Sequence, residues 1–206
     1  MVRRAGLGIA FVLGITFIAS AQDVGRFELS VSEAAVFSKS SASSNGVLTL
    51  KPTDSGATLG TFRYRFNRRH GLELNIGHTM NSQIYVLPPN NFRVMAGVTE
   101  YSGAYVLNLF QTARLEPFLF GGAGALRFTP GNTYIDGFLS PFPVTRQTAL
   151  AFLYGGGADY HLWRIFSARL QYRGLIYKTP NFGQPNLATG AKGHLAEPSI
   201  GIVANF

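Results

Sequence analysis

From about residue 24 to the end, the chain alternates apolar and polar positions in runs separated by turn-forming clusters. In the clearest run, Phe166, Ala168, Leu170, Tyr172 and Ile176 interleave with Ser167, Arg169, Gln171 and Arg173. The final residues repeat the pattern, with Ile200, Ile202, Ala204 and Phe206 set against Ser199, Gly201, Val203 and Asn205. Phe62, Tyr64 and Phe66 alternate with Thr61, Arg63 and Arg65, and Leu72, Leu74 and Ile76 with Glu73, Asn75 and Gly77. A period of two marks a strand with one apolar and one polar face. A further run places Phe118, Phe120, Leu126 and Phe128 on its apolar face, with Leu119, Ala123 and Arg127 opposite. Less regular strands are read at about 24–37, 93–110 and 148–160. In the first of these, Glu33 falls on the face of Phe27, Leu29 and Val31; in the second, Tyr105, Leu107 and Leu109 form the outer face. That makes about eight strands.

The connections alternate in length. Asn67 to Gly71, Gln111 to Arg114 and His161 to Ile165 are tight, whereas about 38–57, 81–92, 129–146 and 179–195 read as long loops. Eight of the ten prolines fall in those longer segments, where they remove no ladder hydrogen bond. Short turns at one end and long loops at the other are the pattern of an up-and-down barrel crossing an outer membrane, with both chain ends on the periplasmic side.

Composition narrows the alternatives. With no cysteine among 206 residues, there is no disulfide framework and no thiolate metal site. The formal charge is +8, yet charged residues make up only 14% and no basic run exceeds two, unlike the clustered cations of a nucleic-acid-binding domain. Arg3 and Arg4, the apolar stretch from Ala5 to Ala19 and the small-x-small pattern Ala19-Ser20-Ala21 read as a cleaved export signal over 1–21. The barrel domain then spans 22–206. No later stretch is apolar for 18 residues, which excludes a helical membrane protein.

The polar face holds Arg26, Glu28, Arg63, Arg65, Glu73, Glu116, Arg127, Asp159, Arg169, Arg173 and Glu197. An eight-stranded barrel has an interior just wide enough for side chains to fill, so this nearly balanced set is expected to close the lumen as Arg–carboxylate pairs. The same alternation also suits a soluble, lipocalin-like barrel with its apolar face turned inward around a ligand. The export signal and the charge-rich polar face favour the lipid-facing arrangement. Aromatics near strand ends (Phe66, Phe118, Tyr160, Phe166 and Phe206) are expected to contribute to an interfacial girdle. Arg68, Arg69, Arg114 and Arg164 in the turns are expected to meet anionic headgroups.

The end of the chain, Ser199-Ile200-Gly201-Ile202-Val203-Ala204-Asn205-Phe206, resembles the small transmembrane barrels of the OmpA/OmpX type. The last strand of that family ends in an aromatic residue with apolar residues at alternating positions before it, a spacing matched by Ile200, Ile202, Ala204 and Phe206. Where Ile200 stands the family often has another aromatic. The resemblance implies an eight-stranded antiparallel up-and-down transmembrane β-barrel whose last strand is read by the outer-membrane insertion machinery.

Candidate chemistry is sparse. Gly155-Gly156-Gly157 and Gly121-Gly122-Ala123-Gly124 lack the Lys-Ser/Thr and the helix that a phosphate loop needs, so they read as bends or as room for long lumen arginines. The four histidines lack metal-ligand spacing, and neither a metal nor a cofactor is expected. His78, near the outer end of its strand and facing lipid, is a candidate base with Ser82 as nucleophile. Some barrels of this kind are lipid A deacylases, but their motif separates His and Ser by one residue and no third member is evident here. The expected role is structural or interaction-based, in a monomer whose partners are outer-membrane lipids, lipopolysaccharide and the insertion machinery. Lys39, Lys51, Arg93, Arg146, Lys178 and Lys192, with Tyr85, Tyr134, Phe138, Phe142 and Phe182, lie in or at the edges of the segments read as loops, which could bind lipopolysaccharide phosphates or a protein partner. Alternative readings are an outer-leaflet lipid-modifying enzyme, a small pore and a soluble periplasmic ligand binder.

Overall fold

The structure is a computed structural model and describes residues 26–206; the export signal and cleavage point read at 1–21 lie outside them. Eight long strands carry the chain: β1 (Phe27–Ser38), β2 (Ser55–Arg65), β3 (His70–Leu87), β4 (Asn90–Asn108), β5 (Leu115–Ile135), β6 (Gln147–His161), β7 (Phe166–Lys178) and β8 (Lys192–Asn205). Each pairs antiparallel with the next, and β8 pairs with β1 to close the ring. A transmembrane β-barrel of up-and-down topology results, with no open edge in its wall. Among the described residues the helical content is one 3-10 turn, Pro185–Leu187.

The pairing register fixes the geometry of the ring. Glu28 pairs with Arg63, Arg63 with Glu73, Glu73 with Ala104 and Ala104 with Gly122. The circuit continues from Gly122 to Leu153, Leu175 and Leu195, and ends on Ser38 of β1. One turn thus climbs from residue 28 to residue 38, a stagger of ten residues, which for eight strands implies a tilt of about 40°. The same circuit passes from charged side chains through small ones to leucines, so the interior changes character along the barrel axis.

The outside is apolar. Leu29, Val31, Phe62, Leu72, Leu74, Ile76, Leu119, Leu150, Phe152, Leu170, Ile200 and Ile202 all point away from the lumen and are exposed. Alternating with them, Glu28, Ser30, Arg63, Glu73, Asn75, Arg169, Gln171, Arg173 and Ser199 are buried. This is the reverse of a lipocalin, and it is the side-chain order of a barrel whose solvent is hydrocarbon.

Several expectations need correction. Residues 81–92 are not a long loop: β3 runs to Leu87, β4 starts at Asn90, and only Pro88-Pro89 joins them. Likewise β5 runs to Ile135 through much of the segment read as a loop. The four-residue segment Thr49–Pro52 adds to this outer extension by pairing with Gln83–Val86, and Phe138–Leu139 pairs with Tyr134–Ile135.

In β5 the faces are inverted from the reading made on apolarity. Phe118, Phe120, Leu126 and Phe128 point inward and are buried, so Leu119, Ala123 and Arg127 stand on the outer wall. Arg127 is therefore not a lumen residue, and Phe118 is not part of a girdle. The cause is strand parity: Glu116 faces the lumen, and every even position after it as far as the kink near residue 131 shares its side. Arg26, also read as a lumen residue, is exposed just before β1.

Candidate functional site: a charged lumen beneath an apolar lid

Neighbouring strands place opposite charges side by side in the lumen near the turn end. The register sets Arg63 opposite both Glu28 and Glu73, Arg169 opposite Asp159, and Arg173 opposite Glu197. Arg63 donates from Nε (3.1 Å) and Nη2 (2.7 Å) to one Glu73 oxygen, and its Nη1 lies 3.5 Å from Glu28 and 3.7 Å from Asp159. Arg169 holds Asp159 with two bonds and donates a third to Glu28 at 2.7 Å. Arg65 bonds to Glu28 and to Glu116, the latter at 2.7 Å. Glu28 is thus shared by three guanidinium groups.

A second cluster lies further up. Arg173 bonds to Glu100, with Glu197 3.6 Å from its other nitrogen, and Ser102 donates to the same Glu100 oxygen at 2.6 Å. Glu100 is missing from the sequence reading because β4 shows no clean alternation. Its signal was nevertheless present in spacing: it shares parity with Ser102, Ala104 and Asn108, all buried. The buried titratable set is therefore four arginines and six carboxyl groups. Burying such groups carries a desolvation penalty that is offset only when each charge meets several partners in good geometry. The forked guanidinium meets that demand where an ammonium would not.

Phe118 ties the network to the wall. Its ring lies under Arg63, 4.3 Å from guanidinium carbon to centroid, and under Arg169 at 5.0 Å. The inward apolar residues of β5 thus belong to the charged site rather than to lipid. Gly157 makes the space for this ring: a Cβ there would meet Phe118 Cζ at 2.8 Å and the Leu170 carbonyl oxygen at 2.5 Å. That accounts for part of the glycine run on β6 without any phosphate chemistry.

Above the charges the lumen is filled by apolar side chains. Val36, Leu50, Val94, Val98, Leu126, Phe128, Leu153, Leu175 and Leu195 form one cluster with Phe182 and Leu187 from the β7–β8 connection. Phe182 is 0% exposed, packs edge-on to Tyr85 and Phe128, and is therefore not a loop-surface aromatic. Tyr85 donates its hydroxyl proton to the Pro180 carbonyl at 2.7 Å, fastening the connection over the mouth. Gln147 fixes it from the other side, its side-chain oxygen accepting from Asn181 and Phe182. Beside the Glu100–Arg173–Glu197 cluster, and lined also by Leu59, Val98, Leu126 and Leu195, lies a cavity of about 20 Å³, room for about one water.

His78 and Ser82 do not meet as base and nucleophile. His78 is exposed on the outer wall, with Nδ1 3.3 Å from the Thr99 hydroxyl. Ser82 is buried, and its hydroxyl oxygen accepts from Arg93 Nε at 2.9 Å. Both line one outer groove together with Met80 and Met95. Among the described residues no group of three His, Asp or Glu is placed to hold a metal.

The last strand lies where its alternation suggested. Ile200 and Ile202 are exposed on the outer wall, and Phe206 exchanges backbone hydrogen bonds with Phe27 of β1, at 3.2 and 2.8 Å, at the end of the closing seam.

No protein-family description and no curated protein matches the chain. Solved structures do. Neisserial surface protein A is 15% identical with a TM-score of 0.58, over 90% of this chain and 100% of that one. The outer membrane protein OprG of Pseudomonas aeruginosa is 15% identical with a TM-score of 0.58, over 88% and 96%. The N-terminal β-barrel domain of Pseudomonas aeruginosa OprF is 15% identical with a TM-score of 0.51, over 89% and 100%. At that identity the likeness is one of fold: the chain has the architecture of small outer-membrane barrels.

Proposed function

We propose that the chain is a sealed outer-membrane barrel that presents a rigid outer end for contact with other molecules and neither conducts nor catalyses. The turn end and both chain ends then face the periplasm, and the loop end faces outward. The observation that carries this reading is the double closure of the lumen: guanidinium–carboxylate pairs fill one half, and a lid anchored by Phe182 and Tyr85 fills the other. A pore needs a hydrated path, and packed side chains leave none. The outward extension of β3, β4 and β5, widened by the Thr49–Pro52 and Phe138–Leu139 pairings, is a sheeted platform rather than a set of free loops. Binding surfaces held on a rigid scaffold suit recognition. Hydrolysis is disfavoured because the Ser82 hydroxyl is buried and accepts from Arg93, a cation, rather than donating to a base.

Export, insertion through the Ile200–Phe206 strand and a monomeric state belong to the same proposal. Single-channel recording in planar bilayers tests it. Folded protein, verified by slower or faster gel migration before boiling than after, is expected to leave the bilayer silent. Stable, reproducible conductance steps from that material contradict the reading.

A further inference from the structure

We infer that the outer wall of β3, β4 and β5 carries a docking site for a phosphorylated glycolipid of the outer leaflet. The inference rests on the outer-membrane placement proposed above. A groove of about 740 Å³ opens in this wall, lined by His78, Met80, Arg93, Met95, Gly97 and Asn132 among others. Its origin is local. The β4–β5 register jumps from Val94–Thr133 to Ala96–Pro130, so Gly131 and Asn132 bulge opposite Met95. Gly97 leaves the floor without a side chain, and a Cβ built there meets only His78, at 3.5 Å. Elsewhere the outer wall carries bulky residues such as Leu74, Leu150, Phe152 and Leu170.

The groove is chemically graded. On the same outer faces toward the turn end come Ile76, Leu74, Tyr101 and Tyr105, the apolar band that meets acyl chains. Within the groove, Met80 and Met95 offer adaptable apolar walls. At its far end stand Arg93, Ser82 and Asn132, with Arg93 exposed. Arg127 is exposed at the opposite, inner end of the groove: it pairs in register with Thr99, six positions of β4 below Arg93 or about 20 Å along the strand, and stands one outward position below Thr129 of the lining. Among the described residues, none of those lining the groove is acidic. A lipid whose chains run along Ile76 and Tyr101 therefore lays its headgroup in the groove with one guanidinium group at each end, Arg127 at the inner end and Arg93 at the outer. A headgroup with two phosphates thus meets one guanidinium at each end. The misfit that Arg127 presents on a lipid-facing wall finds its use here: it lies where the apolar band ends, and a cation there meets an anion instead of hydrocarbon.

The test uses the whole folded barrel in phosphatidylcholine nanodiscs doped with bis-phosphorylated lipid A, with retained lipid read by native mass spectrometry. The wild type is expected to hold lipid A, whereas the double variant Arg93→Ala/Arg127→Ala loses at least about tenfold in retention. Filling the floor with Gly97→Phe is expected to have the same direction of effect. Arg68→Ala/Arg69→Ala, at the opposite end, is expected to retain lipid as the wild type does, and dephosphorylated lipid A to be retained as poorly as by the double variant. Equal retention by wild type and double variant, or equal retention of the two lipids, overturns the site. Each protein is checked by its heat-dependent gel shift. A normal shift without lipid A retention removes this site and leaves the sealed barrel standing, while loss of the shift in the wild type removes the barrel reading itself.

Discussion

Arg169 and Asp159 meet across β7 and β6 through two parallel hydrogen bonds, Nε to Oδ1 at 2.7 Å and Nη2 to Oδ2 at 2.6 Å. Both side chains are almost wholly withdrawn from solvent. The pair is a register device as much as an electrostatic one, because slipping β7 by one residue would turn Arg169 into lipid.

Breaking this pair from one side leaves the other charge buried without its partner. Arg169→Ala is expected to lower the unfolding free energy by about 3–5 kcal/mol. Urea unfolding of barrels in lipid vesicles, followed by tryptophan fluorescence, measures it. The Arg169→Ala/Asp159→Ala double variant is expected to lose less than the sum of the single losses; strict additivity would show that the contact contributes nothing.

Phe118 carries two cations on its ring and fills the floor of the lumen. Phe118→Ala is expected to cost about 3–5 kcal/mol in the same assay, whereas Leu119→Ala, the next residue and an exposed one, should cost far less. If Leu119→Ala proves the costlier change, the parity assigned to β5 is wrong.

Leu74 is 62% exposed, and in a water-soluble protein an arginine there would cost almost nothing. Against hydrocarbon, Leu74→Arg is expected to destabilise by about 2–4 kcal/mol if the site lies near the bilayer midplane. A change within experimental error in vesicles would argue that this wall does not face lipid.

The two seals are expected to act independently. Removing the lid with Phe182→Ala/Leu187→Ala is expected to open a vestibule at the outer end and yet leave planar bilayers silent, because the guanidinium network still spans the lumen below. Conductance in that variant alone would show that the lid is the only barrier.

Much of this architecture is legible in sequence, and the misreadings have physical causes. In β7 and β8 the two faces differ sharply in polarity, so Arg169, Arg173 and Ile200 are assigned correctly by period alone. In β5 the period is just as regular, but the lumen is not uniformly polar there, and inward Phe118 and Phe128 imitate a lipid-facing stripe. Carrying parity forward from Glu116 resolves the ambiguity and puts Arg127 outside. The apolar lid was invisible for a different reason. Phe182 lies in an irregular connection, with a left-handed backbone (φ 53°), and its burial depends on Tyr85 and Phe128, distant in sequence. The continuation of β3 and β4 through Pro88-Pro89 was masked by prolines that mark a turn of two residues rather than a long loop.

The most direct test of a lipid-facing wall around a sealed lumen is paramagnetic accessibility along β8. The chain has no cysteine, so single cysteines at Ser199, Ile200, Ile202 and Val203 can each carry a spin label in folded, vesicle-embedded barrels. Labels at Ile200 and Ile202 should collide readily with oxygen dissolved in the bilayer, while those at the buried positions Ser199 and Val203 should be shielded from both oxygen and a water-soluble nickel reagent. The opposite phase, or ready access of the nickel reagent to residues 199 and 203, would contradict it.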